Sequence, residues 1–263
     1  MRHTIRLGVG AGLLIASMAV SAQSPDPKPL AFEVASIKHS VQLDAGGTLR
    51  MQPGGLFTSV NVPIEGLILG AYRTPDRRLF RSQLIGGPSW LTTERYDITA
   101  RVGAELTARP QGELFGLLPV LLQSLLQDRF KLRVHHETRD LPVYVLTVKN
   151  PQFGPGLRIS TFDCAATPSA CGIQFSTGHV SAASVDVETL INLLSGTVER
   201  PLINQTGLSG RFAINLDWSP DPTVSDKPSI FTAAQEQLGL ALASSTAPVD
   251  VLVIDHVERP TPD

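Results

Sequence analysis

The chain has 263 residues, 42% of them hydrophobic and 17% charged, a balance that excludes a disordered polypeptide. Its 22 basic and 24 acidic residues give a formal net charge of −2, so no surplus of positive charge is available to neutralise phosphates and nucleic acid is not an expected partner. Two cysteines exclude a small disulfide-stapled scaffold, and the length admits one large domain or two ordinary ones.

The first segment reads as an address. Arg2, His3 and Arg6 give a positive start, residues 7–20 are apolar and uncharged, and Val20 and Ala22 supply the small residues expected before a cleavage site. Residues 1–22 are therefore expected to be a signal peptide. The apolar run is too short for a transmembrane span, which needs about 20 residues. The expected location is periplasmic or extracellular, with no stable membrane insertion after cleavage. Residues 23–30 (QSPDPKPL) read as an extended arm.

Residues 32–38 (FEVASIK) form a leading strand, and Pro63 opens a helix reaching Tyr72. Gly86-Gly87-Pro88 is a turn signal. Trp90 follows it, either plugging the core beneath the turn or standing exposed against a ligand. Residues 96–102 alternate as a strand. Pro119 is incompatible with a helix interior, so the next helix is expected to start there and end near Arg129. Residues 131–138 alternate again, with Leu132, Val134 and His136 facing one way and His136 at the end of the core.

Cys164 and Cys171 lie in a stretch rich in Thr, Pro, Ser and Ala. In an oxidising compartment their close spacing favours a small local disulfide, the alternatives being a reactive thiol pair or two ligands of an incomplete metal site. Beyond them, residues 179–183 form a short strand, and Ser184 is placed to cap a helix carrying the apolar stripe Val187, Leu190, Ile191 and Leu194. Residues 202–203 are a short strand and residues 204–210 a turn. Residues 211–218 alternate, with Phe212, Ile214, Leu216 and Trp218 on one face. Residues 219–228 are a Pro/Asp-rich loop. Ser229 is placed to cap a last helix ending at Gly239, and residues 240–244 and 249–256 read as a closing antiparallel pair.

The chain also repeats itself. Residues 55–71 (GLFTSVNVPIEGLILGA) align without a gap on residues 178–194 (GHVSAASVDVETLINLL) at an offset of 123, with Val62 on Val185, Glu65 on Glu188 and Ile68 on Ile191. Tyr96 and Ile98 match Phe212 and Ile214 at 116, and residues 142–148 (PVYVLTV) match residues 248–254 (PVDVLVI) at 106. The expectation is an α+β protein of two tandem related repeats, residues 31–150 and 173–260. Each has short mixed or antiparallel strands with two helices on one face, and residues 151–172, with the Cys pair, are the linker.

Two resemblances follow. Residues 32–38 (FEVASIK), 84–91 (LIGGPSWL), 121–135 (LLQSLLQDRFKLRVH), 141–148 (LPVYVLTV), 206–212 (TGLSGRF) and 249–260 (VDVLVIDHVERP) resemble the bacterial soil-associated protein family. That family is an exported domain of unknown function, so the resemblance implies export and no activity or site residue. Relatives of that domain are fused to membrane metallopeptidases of the antirepressor type, which implies extracytoplasmic sensing or binding. The element order of residues 179–258 is similar to the short N-terminal domain of secretins and TonB-dependent transducers, an interaction module. The loop at residues 219–228 is longer than that plan expects.

The catalytic motifs tested are missing. Gly207-Leu208-Ser209-Gly210 lacks the spacing of a nucleophile elbow, and no H-E-x-x-H occurs. His135-His136-Glu137 is the densest ligand-type cluster, but adjacent strand residues face opposite ways and no metal is expected there. No cofactor is expected either. The basic run at residues 73–81 (RTPDRRLFR) supplies Arg77 and Arg78, which with Trp90 form the candidate binding surface. The expected function is a non-catalytic extracytoplasmic binding or protein-interaction module, its partner an envelope protein or small ligand. The alternative is an exported hydrolase whose site lies in the cleft between the repeats.

Overall fold

Alternating apolar residues require sheets with one dry face, and the chain builds two such outer sheets around a shared central one. The computed structural model describes residues 30–41, 46–74, 78–167, 171–221 and 226–261. The expected signal segment, the arm up to residue 29 and Arg77 lie outside the described residues.

The first outer sheet contains β1 (Phe32–His39), β2 (Thr48–Gln52), β3 (Leu56–Pro63) and β5 (Arg95–Val102) in the order β1-β5-β3-β2, all antiparallel. Its inner face carries Phe57, Tyr96, Ile98 and Val102. The β3–β5 register slips between Ser59 and Val62. Asn61 sits there with φ 56°, its N–H donating to Asp97 Oδ1 at 2.8 Å. Asn tolerates that left-handed backbone better than most residues, and the bulge bends the strand into the helix that follows.

That helix is α1 (Ile64–Ala71), and it packs with α4 (Gln111–Arg129) over the sheet. Helix α4 corrects the expected start at Pro119, which lies well inside it. Proline costs about 3 kcal/mol in a helix interior, chiefly by removing one backbone bond. Here that bond would end on Phe115, whose side chain is exposed. Leu114, Leu121, Leu122 and Leu125 are all buried, each worth roughly 2 kcal/mol, and together they outweigh the loss.

The second outer sheet contains β7 (Leu157–Ile159), β8 (Gln174–Ser176), β9 (His179–Asp186) and β11 (Arg211–Asp217) in the order β7-β11-β9-β8, again antiparallel. Phe212, Ile214 and Leu216 face inward as expected, continued by Trp218. Helix α5 (Val187–Val198) and α6 (Ile230–Ala233), the latter prolonged by a wider turn over Ala234–Leu238, cover that face. Ser184 does not cap α5. Its hydroxyl instead accepts from Arg211 Nε at 2.7 Å, which keeps it in the strand, and Asp186 caps by accepting the Thr189 N–H at 2.7 Å. Ser229 does cap α6, and Gly239 ends the last turn at φ 74°.

The central sheet joins the two halves. Strands β6 (Arg133–Val148) and β12 (Leu240–His256) pair antiparallel, with Val148 opposite Leu240 and Arg133 opposite His256. This corrects the closing pair expected within residues 240–256. The stretch left between its two strands as a turn, Ser245 to Pro248, is held straight opposite Val143, Pro142, Leu141 and Asp140. Strand β4 (Leu84–Ile85) adds to β12 in parallel, and β10 (Leu202–Asn204) adds to β6 in parallel, giving the order β10-β6-β12-β4. Leu252 and Ile254 of β12 enter the first core and Leu240 the second, while Leu146 of β6 also enters the second. The fold class is α+β, with helices packed on small sheets.

Candidate functional site

The chain entering β4 forms a strap. A single tight turn over Arg81–Gln83 buries Gln83, whose side-chain oxygen accepts the Phe80 N–H at 3.1 Å and whose amide donates to Asp250 O at 2.8 Å. The strap at residues 78–83 is thereby fixed to β12. Facing it is α5, on which Glu188, Ile191, Asn192 and Ser195 recur at intervals of three and four and so share one side of the helix. Asp186 sets where that helix begins, and therefore which side chains turn toward the strap.

Between strap and helix lies a cleft of about 380 Å³, with Leu202 and Asn204 of β10 and Pro248 to Asp250 of β12 as its floor. Arg78 enters it over the last turn of α5. A Cβ on Gly196 would stand 3.1 Å from Arg78 Nη1 and 3.2 Å from Cζ, so the guanidinium rests on bare helix backbone. A cation there complements the helix C-terminal end. Among the described residues neither Arg78 nor Glu188 has an ion-pair or hydrogen-bond partner. Glu65, aligned with Glu188 in sequence, is by contrast closed off by Arg81 Nε at 3.1 Å. Asp250 is held from outside the cleft lining, its Oδ2 accepting from His136 Nδ1 at 2.8 Å.

Of the candidate binding residues named from sequence, Arg78 and Trp90 are described, and of these two Arg78 reaches the cleft. Trp90 is corrected as a surface candidate. It begins the single-turn α2 (Trp90–Thr93), is only 7% exposed, belongs to the first core and is roofed by Arg259, whose guanidinium carbon lies 5.2 Å from the ring centroid. The cause is the turn before it, where Gly86 and Gly87 take φ 80° and 83° and direct the chain inward. Cys164 and Cys171 are joined by a disulfide on the segment between β7 and β8, with a Cα–Cα distance of 5.6 Å. Neither lines the cleft.

His135 and His136 have separate partners. His135 bonds Asp255 through Nδ1 at 2.8 Å and Glu137 through Nε2 at 3.0 Å, and Arg139 completes the chain on Glu137 at 2.7 Å. With both ring nitrogens engaged, His135 has no lone pair to offer a metal. No group of three ligand-type side chains among the described residues is arranged to hold one. Glu137, then Asp255, hold the imidazole pKa above its ordinary value, and His135, then Arg139, hold Glu137 below its own. His136 is not the end of the core, its side chain being 56% exposed.

Sequence reasoning missed Gln83, Asn192, Ser195 and Asp250. The spacing of Glu188, Asn192 and Ser195 was a usable signal. The approach of the strap was not, because it depends on a two-residue strand pairing with a partner more than 160 positions away.

A family model described as a protein of unknown function (DUF3738) matches residues 65–257, which runs from the second residue of α1 through all of β12 and takes in the whole cleft. No curated protein and no solved structure matches the chain. Among the described residues no helix is long and apolar enough to cross a membrane.

Proposed function

Starting from a chain that belongs to the DUF3738 family, whose description assigns it no activity, we propose an exported, non-catalytic binding module of the cell envelope whose ligand seat is the cleft between α5 and the strap. One observation carries this reading. Two opposite charges, Arg78 and Glu188, face the cleft without partners among the described residues, beside the apolar Ile191, Leu202 and Val249. Recognition sites are built this way, as apolar concavities with a few placed polar groups.

Export is supported by Arg2, Arg6 and the uncharged run at residues 7–20 ahead of Ala22, and by the resemblance to the exported soil-associated family. The two-repeat reading is supported by the aligned offsets and by the equal strand orders β1-β5-β3-β2 and β7-β11-β9-β8. On that reading each repeat lends one short strand, β4 or β10, to the long strand of the other. The similarity of residues 179–258 to a secretin and transducer interaction module points the same way.

The test is a titration of the isotope-labelled purified protein with a set of small fragments, followed by amide chemical shifts. The expected result is a set of ligands that shift Ser195 and Gly196 in the wild type and not in the Arg78→Ala, Glu188→Gln double variant. Ligands that ignore those two substitutions sink the assignment.

A hydrolase remains the second reading, favoured by one contact. Asp250 holds His136 through Nδ1 and leaves Nε2 open, the arrangement of an oriented general base. Turnover of any ester, peptide or glycoside that is lost in His136→Ala establishes it, and turnover that survives the substitution removes it.

A further inference from the structure

The two unanswered charges stand at opposite ends of one helix side. Glu188 lies in the first turn of α5, and Arg78 lies over Gly196 in its last turn. Glu188 and Gly196, the residue beneath Arg78, are eight positions apart, a rise of about 12 Å along the helix axis. The cleft is thus acidic at one end and basic at the other. Each charge first offsets about half a unit of the opposite partial charge at its helix end, and the remainder faces the ligand. The side chains of Asn192 and Ser195 lie between them, with Ile191 and Val249 as the apolar surface.

We propose that the cleft takes a zwitterionic tripeptide, its terminal carboxylate on Arg78 and its terminal ammonium on Glu188. The proposal rests on the cleft being the ligand seat and names the class of ligand. Three extended residues cover about 10 Å at 3.3–3.6 Å each, which leaves about 2 Å for the end contacts to close, whereas a dipeptide leaves about 5 Å. A guanidinium lying flat on the helix presents its edge, and edge-on N–H groups bind a carboxylate with two parallel hydrogen bonds. The hydroxyl of Ser195 matches a peptide group between the termini, and the apolar surface takes the middle side chain. The aligned place in the first half offers no second seat, because Arg81 already neutralises Glu65.

The probe is Ala-Leu-Ala with free termini, compared with its N-acetylated and C-amidated forms by calorimetry and by the amide shifts of Ser195 and Gly196. The free peptide should bind, and each blocked form about tenfold more weakly, equivalent to about 1.4 kcal/mol. Arg78→Met should abolish the amidation penalty and keep the acetylation penalty, and Glu188→Gln should do the reverse. Both positions are exposed, and a melting curve checks that each variant folds. Equal binding of free and blocked peptides overturns the proposal, as do variants that keep both penalties. If Ala-Leu-Ala shifts neither amide, the tripeptide class falls. In that case an uncharged fragment that still shifts Ser195 and Gly196 keeps the cleft as a ligand seat, and failure of every fragment removes that reading as well.

Discussion

Arg259 lies over Trp90 and at the same time grips Glu94, with Nη2 2.7 Å and Nε 3.0 Å from the same carboxylate oxygen. The C-terminal segment is thereby clamped to the edge of the first core, 165 positions from Glu94. In a Trp218→Phe background Trp90 is the sole indole. Arg259→Ala should raise its quenching by acrylamide about twofold and lower the melting temperature, because the cation that roofs the ring is gone. Arg259→Lys should restore little, since an ammonium cannot span the carboxylate and cover the ring together. Unchanged quenching in both variants would show that the roof does not shield the indole.

Asp186 sets the start of α5 and so the face that lines the cleft. Asp186→Ala should cost about 1 kcal/mol in denaturant unfolding near neutral pH, and Asp186→Asn only a few tenths. The Thr189 backbone N–H holds the Asp186 pKa below its ordinary 3.8. A depressed carboxylate contributes stability above its unfolded value and loses it as pH falls through the folded one. The gap between wild type and Asp186→Ala should therefore be complete above pH 3.8 and close in more acidic solution. A gap independent of pH would exclude the charged cap.

His135 sits between two carboxylates, so its imidazole should titrate above the ordinary 6.5, and Glu137→Gln should bring the midpoint down. A raised histidine contributes stability below 6.5 and loses it as pH rises through the folded value, whereas the depressed Glu137 contributes above 4.5 and loses it as pH falls. The stability difference between wild type and His135→Asn should thus peak between those limits and shrink on either side. Proton-detected titration of the ring and melting across that range read both effects. A midpoint at or below 6.5 counts against the network.

The disulfide spans seven positions, and neither cysteine lines the cleft. Exported protein should lose two hydrogens in mass relative to its reduced form. The Cys164→Ser, Cys171→Ser pair should cost at most about 2–3 kcal/mol by the chain-entropy argument. Ligand shifts at Ser195 should not change. Free thiols on both residues in exported material would refute the bond.

Local rules revealed the elements whose determinants are local. The alternation through Phe212, Ile214, Leu216 and Trp218 reads as a strand because each residue's facing depends only on its neighbour. Ser229 and Gly239 mark a helix by chemistry within a few positions. The failures share a different cause. Ser245 to Pro248 looks like a turn until Asp140 to Val143 lies beside it, and that partner is about a hundred positions earlier. Pro119 breaks a helix in isolation but not one holding a row of leucines against a sheet. The cleft was legible in half only. Its helix side follows from spacing, while its other side exists because Gln83 ties the strap to Asp250.

Strand β12 has a consequence for the order in which the molecule matures. It supplies Leu252 and Ile254 to one core and Leu240 to the other, and it is the partner of β6 along almost its whole length. A ribosome that has translated as far as Gly239 has made every helix and both outer sheets, yet neither interior is closed. Such late, long-range pairing makes for slow folding. Under the proposed export route the delay is useful, since a chain that stays open until β12 emerges stays threadable through a translocon.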